Sequence, residues 1–244
     1  MNFERIIKTI SGLVAGVVVF FMAGGVYLSS KGFVFQDDGS IVLVAPAAAQ
    51  DETAYTPPSI PDNIVLPTEH SEGKADAPVT LYEYSSFGCS HCADFHLGVL
   101  PELKKEFVDT GLLRVVFVPF PLDKNSMSAA LVAECVPEDK YFEFINLLFK
   151  KQRDWELSRD PEKVIKQYAT LNGLPAEDAD KCLHNDDNAR EILSNRQNGI
   201  AQLGIRGTPT FIISYNGHFE QVVNDYSLDA FKDLIVSKLP KKDN

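Results

Sequence analysis

The sequence predicts an α/β domain of order β-α-β followed by β-β-α, with an all-helical domain inserted between the halves. Three observations carry that expectation. A strand-like alternation, a four-residue periodicity and a second apolar run follow one another within residues 79 to 120. The next 83 residues, 123 to 205, have helical texture. The last stretch sets two short apolar runs around Asn216-Gly217 and closes on an amphipathic helix.

Val79 to Phe87 alternates apolar and polar side chains, includes Tyr82 and Tyr84, and runs directly into Gly88-Cys89, the pattern of a strand. Phe95, Val99, Leu103 and Phe107 then mark the buried face of a helix that begins near Cys89, bends at Pro101 and ends at Gly111. Leu112 to Phe120 is nearly all apolar, with three valines, as in a strand covered on both sides. Such a unit makes two adjacent parallel strands and leaves the helix start exposed at the carboxyl end of the first. The insertion reads as helices over 126–136 and 139–152, a segment opened by Asp160-Pro161 and stopped by Gly173-Leu174-Pro175, and a last helix from Ala189 to Leu203. Thr210 to Ser214 and Phe219 to Val223 read as strands joined at Asn216-Gly217. Ser227 caps a final helix with Leu228, Phe231, Ile235 and Leu239 on one face. No internal repeat is present.

The composition, 45% hydrophobic and 23% charged over 244 residues, excludes collagen-like, low-complexity and wholly disordered chains. A formal charge of −11 repels nucleic-acid phosphate, so non-specific nucleic-acid binding is not expected. In the first fifty residues Arg5, Lys8 and Lys31 cancel Glu4, Asp37 and Asp38, so the acidity belongs to the body.

Ile10 to Leu28 is nineteen residues without a charge, long enough as a helix to span about 28 Å of bilayer. Residues 1–9 then form a cytoplasmic n-region carrying Arg5 and Lys8, residues 10–28 a transmembrane anchor or signal segment, and everything beyond is exported. Cleavage after Ala47-Ala48-Ala49 is the rival to an uncleaved anchor, and both give the periplasmic side of an inner membrane. Residues 29–61 read as a linker. Phe33-Val34-Phe35 and Ile41 to Val44 suggest a small hairpin, followed by Pro57, Pro58, Pro61 and Pro67. The domain halves are then 62–122 and 206–240, around the insertion at 123–205.

Cys89-Ser90-His91-Cys92 lies where the first strand hands over to the helix. A helix N-terminus carries unpaired N–H groups and about half a positive charge, so a thiol there ionises more easily than a free cysteine, whose pKa is about 8.5. Cys89 is the candidate nucleophile. Cys92, one turn deeper but within disulfide reach, is the candidate resolving thiol, and His91 adds an electropositive group beside the thiolate. Stabilising the ionised dithiol makes the disulfide a stronger oxidant. A zinc half-site and an inert pair are the alternatives. Zinc needs four ligands, and Cys135 and Cys182, 47 positions apart, lack matching spacing, so no metal is expected.

The element order, with Cys89-Ser90-His91-Cys92, Gly207-Thr208-Pro209-Thr210 and Ala77-Pro78-Val79-Thr80, resembles the DsbA family of thiol-disulfide oxidoreductases over about residues 62 to 240. The resemblance implies a thioredoxin-like fold and a cis peptide at Thr208-Pro209 facing Cys89, with the Thr208 backbone pairing to extended substrate chains. His91 matches the strongly oxidising members, whereas Ser90 stands in place of their usual proline. Thr208 replaces the valine of the best-known oxidase, and threonine there is more usual in isomerases and in various relatives. Glu83 occupies the place of a buried acid near the resolving cysteine, where it can take the Cys92 proton, with an outward strand charge as the alternative. His96, one turn after Cys92, reads as a solvated helix-face histidine.

Cys135 and Cys182 form either a structural disulfide in an oxidising compartment or two separately buried thiols. His70, His184 and His218 read as ordinary surface residues and Trp155 as a packing residue. The expected activity is oxidation of reduced exported proteins through a Cys89–Cys92 disulfide, with no cofactor beyond it. A DsbB-type quinone-linked membrane oxidase is the reoxidising partner the resemblance implies. A disulfide isomerase or reductase kept reduced by a membrane donor, and a redox-silent chaperone or binding module, are the alternatives. Isomerases of this fold usually dimerise through an N-terminal module, and residues 29 to 77 look too short and linker-like for one.

Overall fold

The computed structural model describes residues 57–223 and 225–240, together with four short strands among residues 19–43. They fall in two compact units, Met1–Thr56 and Pro57–Asn244. In the first, β1 (Val19–Met22), β2 (Gly25–Leu28), β3 (Phe33–Phe35) and β4 (Ile41–Leu43) form an antiparallel sheet in sequence order. β3 and β4 pair Phe33 with Leu43 and Phe35 with Ile41, at the place of the expected hairpin.

Within the expected transmembrane anchor or signal segment over 10–28, β1 and β2 pair as an antiparallel ladder, Val19 with Leu28 and Met22 with Gly25. The physical reason lies in the residue types. A continuous apolar run carries no period, so length alone suggested a helix, while β-branched and aromatic side chains on both sides of Gly24-Gly25 favour a strand pair. Among the described residues no helix is long and apolar enough to cross a membrane. Residues 1–18 and the linker stretch 44–56 lie outside the described residues.

The second unit holds a five-stranded sheet in the order β5 (Ser71–Glu72), β7 (Leu113–Pro119), β6 (Val79–Ser85), β8 (Thr210–Tyr215), β9 (His218–Val222). β6 and β7 are parallel, as a strand-helix-strand unit requires, and β8 runs antiparallel to β6. The tight turn between β8 and β9 takes its positive φ values from Asn216 (49°) and Gly217 (79°).

Between β6 and β7 runs helix α1, over 90–108, in which α-helical turns Ser90–Asp94 and Leu100–Leu103 alternate with π turns Phe95–Val99 and Lys104–Val108. Pro101, which has no N–H to give, sits between the two π turns, and the Leu100 N–H reaches back five residues to Phe95.

Period-2 alternation sorts the sheet's two faces. Val79, Leu81, Leu113, Val115, Phe211 and Ile213 pack against Phe95, Leu103 and Phe107 of α1 and against Phe231 and Ile235 of α8 (Leu228–Lys238). Tyr82, Tyr84, Val116, Val118 and Ile212 pack on the other face against Leu203 of α7 (Asp186–Leu203) and the incoming Ile60, Ile64 and Leu66. Glu83 has the parity of Val79 and Leu81, so its carboxylate is directed into the face that α1 covers.

The helical segment comprises α2 (Lys124–Ala133), α3 (Tyr141–Lys150), α4 (Gln152–Glu156), α5 (Pro161–Leu171), α6 (Ala176–Leu183) and α7. The short helices α4 and α6 and the two-residue β5 were not legible as separate elements. Side-chain caps start α2 from Asp123, α5 from Asp160, α7 from Asn185 and α8 from Ser227. Trp155 is fully buried in the insertion core and donates its indole N–H to the Leu148 carbonyl at 2.8 Å.

Cys135, just past α2, is disulfide-bonded to Cys182 of α6 across a separation of 47 residues. By loop-closure entropy that link raises stability by at most about 4 kcal/mol. The paired variant C135A/C182A is therefore expected to lose a measurable part of that amount, read from the urea midpoint of the purified protein. An unchanged midpoint would contradict it.

Candidate active site

β6 ends at Ser85, and Ser86-Phe87-Gly88 carries the chain to Cys89, the N-cap of α1. Cys89 has extended backbone angles (φ −82°, ψ 121°), and its N–H is spent on the Ser86 carbonyl at 3.0 Å. Its side chain makes no capping bond, so the half-buried sulfur stays available while the first N–H groups of the helix face it.

The Cys89 pKa is lowered from 9.0 to about 5. The largest cause is the hydrogen bond that the Cys92 thiol donates to the Cys89 sulfur. Burial opposes it, and the Thr208 side chain and the backbone N–H groups of Cys92 and His91 add to the lowering. Cys92 is shifted the opposite way, first by burial and then by giving its proton to that same bond. The environment therefore favours the thiolate at Cys89 and the protonated thiol at Cys92. Both are unbonded here, so this is the dithiol form.

What His91 gives the sulfur is its backbone N–H, for its ring is exposed with Nδ1 3.8 Å from Asp94. Ser90 is also exposed, in the first turn of α1. Across from them the Thr208-Pro209 peptide is cis, and the Thr208 carbonyl lies 3.3 Å from Cys89 Sγ. Thr208 and Pro209 join His91, Asp94, Phe95 and Tyr226 around a groove of about 400 Å³ beside the sulfur.

The insertion holds the approach to Cys89 in place through residues that the sequence did not disclose. Gln152, buried at the start of α4, donates to the carbonyls of Phe87 (2.6 Å) and Cys89 (2.9 Å). Ser126 accepts the Gly88 N–H at 3.0 Å and donates to Asp123 at 2.8 Å. A Cβ on Gly88 would stand 2.7 Å from Ser126 Oγ, so this close approach requires glycine. No spacing rule links a glutamine 63 residues downstream to a cysteine, since only the folded insertion brings them together.

His96 requires a correction, while Glu83 is buried as the resemblance implies. His96 is not a solvated helix-face residue: it is 1% exposed, Glu83 is fully buried, and His96 Nδ1 lies 3.3 Å from Glu83 Oε2. The reason is the helix face, since Cys92 and His96 stand one turn apart on the side of α1 that meets β6. Phe117 and Phe149 enclose the ring at centroid distances of 5.9 and 4.7 Å. Among the other histidines, His70 is also less exposed than expected, stacked on Tyr141 and 2.8 Å from Glu134.

The depressed Cys89 value sets the sign of a pH dependence. Relative to an unfolded dithiol, the thiolate contributes stability in full above the ordinary 9.0, and that contribution is lost as pH falls through about 5. The difference in urea midpoint between the reduced protein and its C89S variant is thus expected to widen from about pH 5 upward. Thiolate absorbance of the reduced protein should titrate near about 5 and vanish in C89S. A midpoint near 9.0 would contradict both expectations.

A thioredoxin family model matches residues 66–235. The chain is similar to a proposed protein-disulfide oxidoreductase of Rickettsia felis, 28% identical over 171 residues, a match covering 70% of this chain and 60% of that protein. It thus spans less than two thirds of the length of that relative. Among solved structures, α-DsbA1 of Wolbachia pipientis superposes with a TM-score of 0.64 at 26% identity, covering 72% of this chain and 94% of the other. BdbD of Bacillus subtilis superposes with 0.62 at 26% identity, covering 69% and 91%. With its cysteine pair at a strand-to-helix junction opposite a cis-proline loop and a helical insertion between the sheet halves, the chain belongs to the DsbA family of thiol-disulfide oxidoreductases, within the thioredoxin fold.

Proposed function

We propose that this chain donates a disulfide to reduced exported proteins. The observation that carries the reading is the opposed environment of its two thiols: Cys89 is lowered to about 5 while Cys92 is held protonated. Stabilising the ionised dithiol favours reduction of the Cys89–Cys92 disulfide, which is the direction in which an oxidase works.

In the proposed cycle a substrate thiolate attacks Cys89 Sγ of the disulfide. The S–S bond breaks, a mixed disulfide forms at Cys89, and Cys92 leaves and takes up a proton. A second substrate thiolate attacks the substrate sulfur of the mixed disulfide, releasing an oxidised substrate and the Cys89 thiolate. Two electrons pass to the enzyme. The groove at Thr208-Pro209 receives the extended substrate segment, whose backbone pairs with Thr208. Glu83, buried on the β6 face toward α1, exchanges the Cys92 proton.

Reoxidation requires an electron acceptor, for which we propose a DsbB-type quinone-linked membrane protein. Export is supported by the Cys135–Cys182 disulfide, a bond that persists in oxidising compartments. Isomerisation or reduction is the second reading, favoured by threonine rather than valine before the cis-proline.

Equilibration with glutathione buffers decides the direction. The expected potential is well above thioredoxin's value of about −270 mV, with stoichiometric oxidation of a reduced peptide by the disulfide form. A potential near thioredoxin's would reject the oxidase reading. C89S is expected to abolish turnover, and retained function in C89S would point to a redox-silent binding role.

A further inference from the structure

The Glu83–His96 pair is the most deeply buried ionisable contact described, and it has an incomplete set of partners. Glu83 Oε2 meets His96 Nδ1 at 3.3 Å, while Glu83 Oε1 and His96 Nε2 have no hydrogen-bond partner. Buried polar atoms left unpaired by protein are normally met by water or serve a proton-transfer role.

His96 also forms part of the floor of a groove of about 560 Å³ bounded by Leu97, Glu143, Asn146, Lys150 and Asn172. That groove shares no residue with the one at Thr208-Pro209. One ring nitrogen thus faces the buried carboxylate, and the other is unpartnered in a residue that borders solvent space.

We infer that His96 is a positioning residue that relays protons between Glu83 and this second groove, so that the proton of Cys92 is exchanged away from the substrate face. This rests on the proposed disulfide exchange. When Cys92 leaves Cys89 as a thiolate, Glu83 gives it a proton and takes one from His96 Nδ1. In the same transfer His96 takes up a proton at Nε2 from groove water, which draws it from bulk solvent, so the ring stays neutral and ends as the Nε2–H tautomer. Reoxidation runs the same transfers in reverse, so protons balance and no further reactant is needed. The titratable groups around the ring are Glu83 from β6, Cys92 from α1, and Tyr141, Glu143 and Lys150 from α3. The Tyr141 hydroxyl is likewise buried without a partner, and its pKa is raised first by burial and then by the charges of Glu134 and Glu83.

The test begins with the wild-type chain. Nitrogen-15 NMR of the His96 ring is compared between the disulfide and dithiol forms across a pH series. A titration that differs between the two forms is expected, and identical titrations would overturn the relay. H96Q is then assayed for reduction of its disulfide by a reduced peptide. Its rate is expected to fall about tenfold or more near neutral pH and to approach wild type in mild acid, where higher proton activity speeds the slower transfer that bypasses the ring. A deficit constant with pH, or none, would overturn the inference. Should H96Q fail to fold, the paired variant E83Q/H96Q removes both ionisable groups, and the NMR comparison still decides. If the wild-type disulfide fails to oxidise the peptide in the same assay, the oxidase reading fails while the His96 titrations stay readable on their own.

Discussion

The site depends on the hydrogen bond between two sulfurs one helical turn apart. Because the Cys92 thiol is buried and keeps its proton, it can donate to Cys89. Because Cys89 stands at the N-cap with no capping bond of its own, its sulfur can accept that donation together with the first N–H groups of α1. Neither shift stands alone. Exposing Cys92 would remove the burial that keeps it protonated, and rotating Cys89 into a capping role would spend the N–H groups that face its sulfur. The asymmetry between equal residue types comes from this geometry, in which helix polarity, burial and hydrogen bonding act on the same pair of atoms.

Holding that geometry is the work of two distant segments. From one side the cis Thr208-Pro209 loop brings a carbonyl to 3.3 Å from the Cys89 sulfur. From the other, Gln152 and Ser126 of the insertion bind the backbone of Phe87, Gly88 and Cys89. The insertion is therefore a buttress for the loop entering the helix as well as a covering layer. Its own rigidity is supported by buried Trp155 and by the link from Cys135 to Cys182. Behind the helix, Glu83 and His96 place ionisable groups in an otherwise apolar layer made by Phe117, Phe149 and Tyr141. A carboxylate on the covered face of a strand is costly unless a partner meets it, and His96 from α1 is that partner.

Much of this was legible from the chain alone wherever the controlling interaction is local. The period-2 run from Val79 set β6 and its faces, the four-residue apolar spacing set α1, and Asn216-Gly217 set the β8–β9 turn. The spacing of Cys89 and Cys92 at a strand-to-helix junction placed one cysteine at a helix N-cap and the other a turn deeper, because a helix terminus orders its N–H groups regardless of what packs around it. Capping residues Asp160 and Ser227 were likewise readable, since a cap is a bond to N–H groups three residues on.

What only the tertiary structure decided depends on which surfaces meet. His96 was misread because a polar residue on a helix reveals nothing of the buried carboxylate opposite, and Gln152 went unread because its partners are more than sixty residues away. In the apolar run ending at Leu28 hydropathy measures only how much a segment avoids water, while the ladder pairing Val19 with Leu28 satisfies the backbone between strands. Local sequence determines which N–H groups, caps and faces a segment can offer. Contacts between segments far apart in the chain determine which of these are buried, paired or left to react.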